Sequence, residues 1–369
     1  MRWLALSAAI LLIGWMLWDA FETILLPRRV PARARVSRLV LGRLWALWSA
    51  IARAIPHRPR RENFLSFYAL LSILSLLIVW ASGLVVGFAL LHWAHGSRLA
   101  GEGSVAGFAT DLYMSGTTFF TLGLGDVRPL STGARLITVT EAGTGFGFLA
   151  LVLAYLPVLY QAFSNRETRI TMLDEWAGAP PTAAVLLRRC SEAGDPNVLS
   201  SLLKDWEITS AEILESHLSY PILCFFRSQH DNQSWLASLV AILDACALAI
   251  VGVEGLDAFQ ARLTFAIGRH ALVDLSQTWR LKPERGDRVE LDPEAVAELR
   301  AWLSRSGLRL SQGAEADRKL AELRALYMPY AHPLSRLLLM PLPPWLPPAR
   351  ARYNWETTAW ARTGGDEGH

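Results

Sequence analysis

The sequence predicts an all-α membrane protein: three transmembrane helices, a short re-entrant helix and loop between the second and third, and an α-helical cytoplasmic domain beyond them. Three observations carry that prediction. The 369 residues are 52% hydrophobic and only 19% charged, with a mean hydropathy of +0.26, whereas soluble domains carry about 25% charge. The apolar residues gather into three long stretches within the first 165 residues. Beyond them apolar residues recur at helical spacing, and no run of alternating strands appears. A net charge of +3 is too small to indicate nucleic acid as a partner. Cys190, Cys224 and Cys246 form no CxxC pair, so neither a disulfide framework nor a structural metal is expected, and no cofactor is predicted.

The first stretch, residues 4–26, is interrupted only by Asp19 and Glu22. The second, 63–91, has no charged residue, and the third, 136–163, has Glu141 alone. A helix needs ~20 residues to cross a hydrocarbon core of ~30 Å, so each is long enough. The expected segments are 1–26, 63–94 and 133–163. A cleaved signal is excluded because 15–26 offers no small-residue cleavage site and Arg28 and Arg29 follow directly. Ten arginines and no acid lie between 27 and 61, which places the linker 27–62 on the cytoplasmic side. The N-terminus is then outside, and the segment 95–110, with only Arg98 and Glu102, is extracytoplasmic. Asp19 and Glu22 share a face and are expected to pair with the basic linker.

Within that linker, 36–55 sets Arg38, Arg43 and Arg53 against Leu41, Leu44, Trp45, Leu47, Trp48 and Ile51. The pattern predicts an interfacial helix on the inner leaflet, with anionic lipid as its partner.

Residues 108–129 read FATDLYMSGTTFFTLGLGDVRP. The first half suits a helix too short to span the bilayer, and the second has two alternate glycines, which open conformations closed to other residues. Irregular backbone at membrane depth is tolerated only where protein buries it or it lines a wet cavity. A short helix, then TxGxGD, with a span on each side, implies a pore over 107–130.

Here the chain resembles the potassium-channel pore family, whose filter reads TVGYGD; the likeness covers about 64–163. The resemblance implies that four such loops surround K⁺ and that their carbonyl oxygens replace its hydration shell. By position, the ligands would be the carbonyls of Thr121, Leu122, Gly123 and Leu124 with the Thr121 hydroxyl, and Gly125 would close the outer mouth. Asp126 would hydrogen-bond toward the re-entrant helix, with Tyr113 as its candidate partner and Thr117 as further support. Leu122 stands where the family has Val, and Leu124 where it has Tyr. The second change removes an anchoring hydroxyl and opens the alternative of a non-selective cation channel. One pore loop per chain requires four chains, hence a homotetramer. No span carries arginines at every third position, so no voltage sensor is expected.

Gly145 falls at the family's hinge position, and packing against a neighbouring helix is an equal reading. Gly143, Gly145 and Gly147 mimic a dinucleotide fingerprint, but no strand precedes them. Pro157 removes a backbone donor and is a candidate kink at a cytoplasmic gate. Glu141, an intramembrane acid, is expected either to act from behind the filter or to hydrogen-bond the re-entrant helix.

The cytoplasmic domain, 165–330, is expected to form helices at 195–206, 209–218, 234–251, 255–279, 293–306 and 314–327, and 331–369 to be a Pro-rich tail containing MPLPPWLPP. Ser219, His217 and Asp231 are assembled into a conceivable hydrolase, but no nucleophile elbow supports it. No enzymatic activity is predicted. The expected function is passive K⁺ conduction regulated by the helical domain and an unidentified cytoplasmic partner. A non-conducting membrane sensor on the same fold is the remaining alternative.

Overall fold

The structure is a computed structural model and describes residues 2–24, 35–96, 99–100, 107–195, 197–230, 232–253, 258–284 and 292–348. Arg28, Arg29, Arg98, Glu102, Asp231 and the tail beyond 348 lie outside the described residues. Among the described residues the fold is all-α but for two short strands, Leu99–Ala100 (β1) and Arg128–Pro129 (β2), which pair antiparallel. It divides into two compact units, Met1–Gln161 and Ala162–His369.

In the first unit, α1 (Arg2–Ile24) packs along α3 (Arg58–His95). Gly83 and Gly87, one turn apart on α3, take Met16 and Ile13. A Cβ at Gly83 would meet Met16 Cγ at 2.8 Å, and one at Gly87 would meet Ile13 Cγ1 at 2.6 Å. Small residues at this spacing let two helix backbones come close.

Asp19, buried near the end of α1, joins three helices. Its Oδ2 accepts from the Trp80 indole at 2.8 Å and from the Ser37 backbone N–H at 3.0 Å; Oδ1 accepts from the Ser37 hydroxyl at 3.1 Å. Ser37 is the second residue of α2 (Val36–Ala54), whose N-cap residue, Arg35, offers no capping acceptor. Asp19 therefore supplies from another helix the anionic cap that α2 lacks. Glu22 pairs with Arg35 at 3.1 Å. Pairing with the basic linker thus describes Glu22, while Asp19 takes neutral donors instead.

α2 lies against α3 through its indoles. Trp45 meets the Tyr68 ring edge-on at 4.7 Å; Trp48 stacks on Phe64 at 4.3 Å and donates to the Phe64 carbonyl at 3.1 Å. Tyr68 donates in turn to the Leu41 carbonyl at 2.9 Å. The two tryptophans thus face protein, where an indole N–H finds an acceptor. Leu39, Leu47 and Ile51 stay exposed beside Arg38, Arg43 and Arg53.

α4 (Phe108–Phe119) packs on α3, and α5 (Thr132–Ala177) follows and continues past the unit's boundary. Helix length is not bounded by bilayer thickness. α3 starts at Arg58, ahead of the expected 63, with Pro59 in its first turn. α5 passes through Pro157 and beyond 163, since residues 158–177 hold neither glycine nor proline; it ends before Gly178, whose φ is 80°.

The second unit is built around α8 (Trp235–Gly252), nearly every residue of which is buried. α8 has the length and composition of a membrane span, as do α1, α3 and α5, but 89% of its apolar window is covered by neighbouring helices. Ser234 caps it, accepting from the Ala237 N–H at 3.1 Å. Around it pack α6 (Ala183–Glu192), α7 (Asn197–Ser219), α9 (Ala258–Thr278), α11 (Ala314–Ala325) and α12 (Met328–Leu338), with α10 (Pro293–Arg305) against α6. The expected helices at 195–206 and 209–218 are one helix, α7: the Thr209 hydroxyl bonds back to the Asp205 carbonyl at 2.8 Å and leaves the turn intact. α6 and α12 were not expected. The Pro-rich segment, placed from 331 by sequence, begins after α12. Pro333 cannot donate to the Pro329 carbonyl four residues back, and the Glu284 N–H takes that acceptor at 2.9 Å instead.

Asp244 on α8 accepts from Arg324 Nε at 3.1 Å and from the Tyr327 hydroxyl. The Trp345 ring covers the Arg324 guanidinium at 4.2 Å, so part of the MPLPPWLPP segment packs on the domain.

Candidate functional site

α4 ends in a backbone that alternates in hand. Thr121, Gly123 and Gly125 have φ of 57°, 56° and 79°, whereas Leu122 and Leu124 keep negative φ. Alternating left- and right-handed residues turn successive peptide planes so that their carbonyls share one side. Glycine adopts this conformation freely, but Thr121 is β-branched and strained there. The chain holds it in place: Thr121 N–H donates to the Thr118 carbonyl at 3.0 Å, and the Leu122 and Gly123 N–H groups both reach the Thr117 carbonyl, at 2.8 and 3.4 Å. Thr117 supports the loop through its backbone, because its hydroxyl is turned to the Met114 carbonyl at 3.0 Å.

Residues 121–126 are all exposed on the single chain, and an added Cβ at Gly123 or Gly125 would meet nothing within 4 Å. Tyr113 donates to Asp126 Oδ2 at 2.8 Å, tying the end of the loop to α4. The start of α5 is fixed by Ser131, whose hydroxyl accepts from the Ala134 N–H at 3.2 Å.

Gly145 lies where α5 crosses the end of α4. A Cβ there would stand 2.1 Å from the Phe119 carbonyl oxygen, while Gly143 and Gly147 face open space. Of the two readings for Gly145, close packing is the one with an observed contact. Pro157 lies inside an unbroken α5.

Glu141 is fully buried between α5, α4 and α3. Its Oε1 accepts from the Ser115 hydroxyl, and its Oε2 is 3.5 Å from His92 Nε2. Of these three, only Glu141 stands out in the sequence. A buried acid on α5 requires polar partners on the facing elements, but α3 and α4 offer several, and spacing alone does not single out His92 and Ser115.

In the second unit, Arg166 on α5 is buried. Its Nη1 donates to His217 Nε2 at 3.0 Å and to the Leu223 carbonyl at 2.9 Å; its Nη2 donates to the Phe226 carbonyl at 2.9 Å and to Glu167 at 3.0 Å. The other His217 nitrogen is 3.0 Å from the Ser216 hydroxyl. With both ring nitrogens engaged, His217 has none for Ser219. Burial, then the adjacent guanidinium, push the His217 imidazole well below its ordinary range. Among the described residues no group of His, Cys, Asp or Glu could hold a metal ion.

A family model described as ion channel matches residues 74–161, which take in most of α3, all of α4, the alternating loop and α5 up to the unit boundary. LctB of Geobacillus stearothermophilus is 31% identical over 127 residues, 32% of this chain and 86% of that protein. An uncharacterized membrane protein of Bacillus subtilis (strain 168), YdjJ, is 24% identical over 171 residues, 46% of this chain; the chain spans only 49% of its length. No solved structure matches significantly.

Proposed function

The chain belongs to the ion-channel family, and from that premise we propose that it is a homotetrameric, potassium-selective membrane channel. The observation that carries this reading is the alternation of hand at Thr121, Gly123 and Gly125 in the segment TLGLGD. Four copies of that backbone around one axis would present rings of carbonyls from Thr121 to Leu124. Such rings replace the hydration shell of K⁺ and lower the cost of entry, while adjacent sites keep the ion mobile. Flow is passive and needs no cofactor. The exposed loop and the exposed apolar side chains of α5, among them Val139, Phe146 and Leu153, suit burial against partner chains and lipid.

The N-terminus is outside and the helical domain cytoplasmic in this reading, because the arginine-rich linker belongs on the inner face. There α2 rests on anionic lipid through Arg38, Arg43 and Arg53. The second unit regulates the pore through α5, the one helix the two units share.

A second reading, a non-selective cation channel, draws on Leu124, which offers no hydroxyl to brace the loop; Tyr113 braces it at Asp126 instead. Purified protein in liposomes, given K⁺ or Na⁺ gradients, decides between them. K⁺ flux alone, lost in Gly123→Asp, supports the selective channel. Equal fluxes support the second reading, and no flux in either gradient rejects conduction.

A further inference from the structure

His92, Ser115 and Glu141 come from three different elements, α3, α4 and α5, and none is accessible to solvent. Ser115 has one hydroxyl proton and two acceptors within reach: the Val85 carbonyl at 2.8 Å and Glu141 Oε1. A serine donates once. The Val85 carbonyl can only accept, so both contacts are satisfied together only when Glu141 carries the proton and donates to Ser115. When Glu141 is ionised, Ser115 must choose between them. The carboxylate then relies on His92 Nε2, 3.5 Å from its other oxygen.

We propose that His92 is a positioning residue for the filter: through its 3.5 Å approach to Glu141 it sets which partner Ser115 keeps, and thereby how α4 is held. The lever is short. Ser115 lies two residues before Thr117, whose carbonyl receives the Leu122 and Gly123 N–H groups. A shift of α4 at Ser115 is therefore felt at the two residues in the middle of the alternating loop. Other ionisable groups face this site. Asp111, one turn before Ser115 on α4, is buried. His95, one turn beyond His92 on α3, faces Gly133 of α5, and Arg2 of α1 approaches Gly96. Glu141 differs from these in touching the filter-bearing helix through a direct hydrogen bond to Ser115.

This inference rests on the channel reading, and its test separates the two. Full-length protein in liposomes is assayed for K⁺ and Na⁺ flux across a pH series, as wild type and as His92→Gln, His92→Phe, Glu141→Gln and His95→Gln. Gln at 92 keeps a donor toward Glu141 but cannot take up a proton. The wild-type K⁺/Na⁺ flux ratio should change with pH. That change should vanish in His92→Gln and Glu141→Gln and persist in His95→Gln. His92→Phe, which loses the contact entirely, should lower the ratio by about tenfold. If His92→Phe fails to assemble, the Gln variant carries the test, since a merely structural role would leave its pH profile like that of the wild type. A conducting wild type whose His92→Gln profile matches it overturns the inference and leaves the channel standing. A wild type that conducts neither ion at any pH overturns both.

Discussion

The Cα of Gly145 lies so close under the Phe119 carbonyl that a methyl group there would stand 2.1 Å from the oxygen. The helix that lines the proposed pore thus touches the last turn of α4 backbone to backbone. Gly145→Ala must push the two elements apart, at an overpacking cost of about 1–3 kcal/mol. Thermal unfolding and flux should both report the loss, whereas Gly143→Ala and Gly147→Ala should leave both unchanged.

Tyr113→Phe removes the hydroxyl that Asp126 accepts at 2.8 Å and keeps the ring. The pair is exposed on the single chain, so overall stability should barely move. Selectivity should move instead: the K⁺/Na⁺ flux ratio should fall by about 3–10-fold, the worth of one hydrogen bond to the loop. Tyr113→Phe with an unchanged ratio would mean that Asp126 is braced by something else.

His217 gives the second unit a definite pH dependence. Folded, its ring is held neutral by burial and by Arg166; unfolded, it takes up a proton near pH 6.5. Below that pH the unfolded chain binds more protons, so stability falls as the solution is acidified; above it the contribution is constant. The slope from this one group approaches ~1.4 kcal/mol per pH unit. Melting curves of the full-length protein should therefore be steeper in pH below ~6.5 for the wild type than for His217→Gln.

Arg324→Met strands the Asp244 carboxylate inside the second unit with only Tyr327 as donor. Breaking a buried pair from one side costs about 3–5 kcal/mol. The double variant Asp244→Leu/Arg324→Met should recover much of that loss in denaturant unfolding. Trp345→Ala removes only the cover over the guanidinium and should cost about 0.5–2 kcal/mol.

The features of this fold were unequally legible from sequence. The membrane helices and TLGLGD were readable because hydropathy length and two alternate glycines are local signals. Tyr113–Asp126 was nameable because the family resemblance points Asp126 toward α4, where Tyr113 carries a donor hydroxyl. His92 was not, because its meaning depends on α3 facing Glu141 across 49 residues of chain. Arg166 was hidden for a similar reason: its carbonyl partners follow α7 in a 3₁₀ turn, Pro221–Phe225, that no periodicity announces. α12 was lost to its own prolines, whose cost is offset by Glu284, far away in sequence. Gly83 and Gly87 were visible as letters, yet only the Met16 and Ile13 contacts give their spacing a meaning.

Asp19 also fixes an order of events during synthesis. Ser37 follows it by 18 residues and Trp80 by 61. At about 5–20 residues per second, the indole partner reaches the membrane several seconds after the carboxylate does. Until then the acid has only the two donors of Ser37. The arrival of α3 adds the third and brings Gly83 and Gly87 to Met16 and Ile13 in the same step. Insertion of the second hydrophobic segment is thus what completes the first.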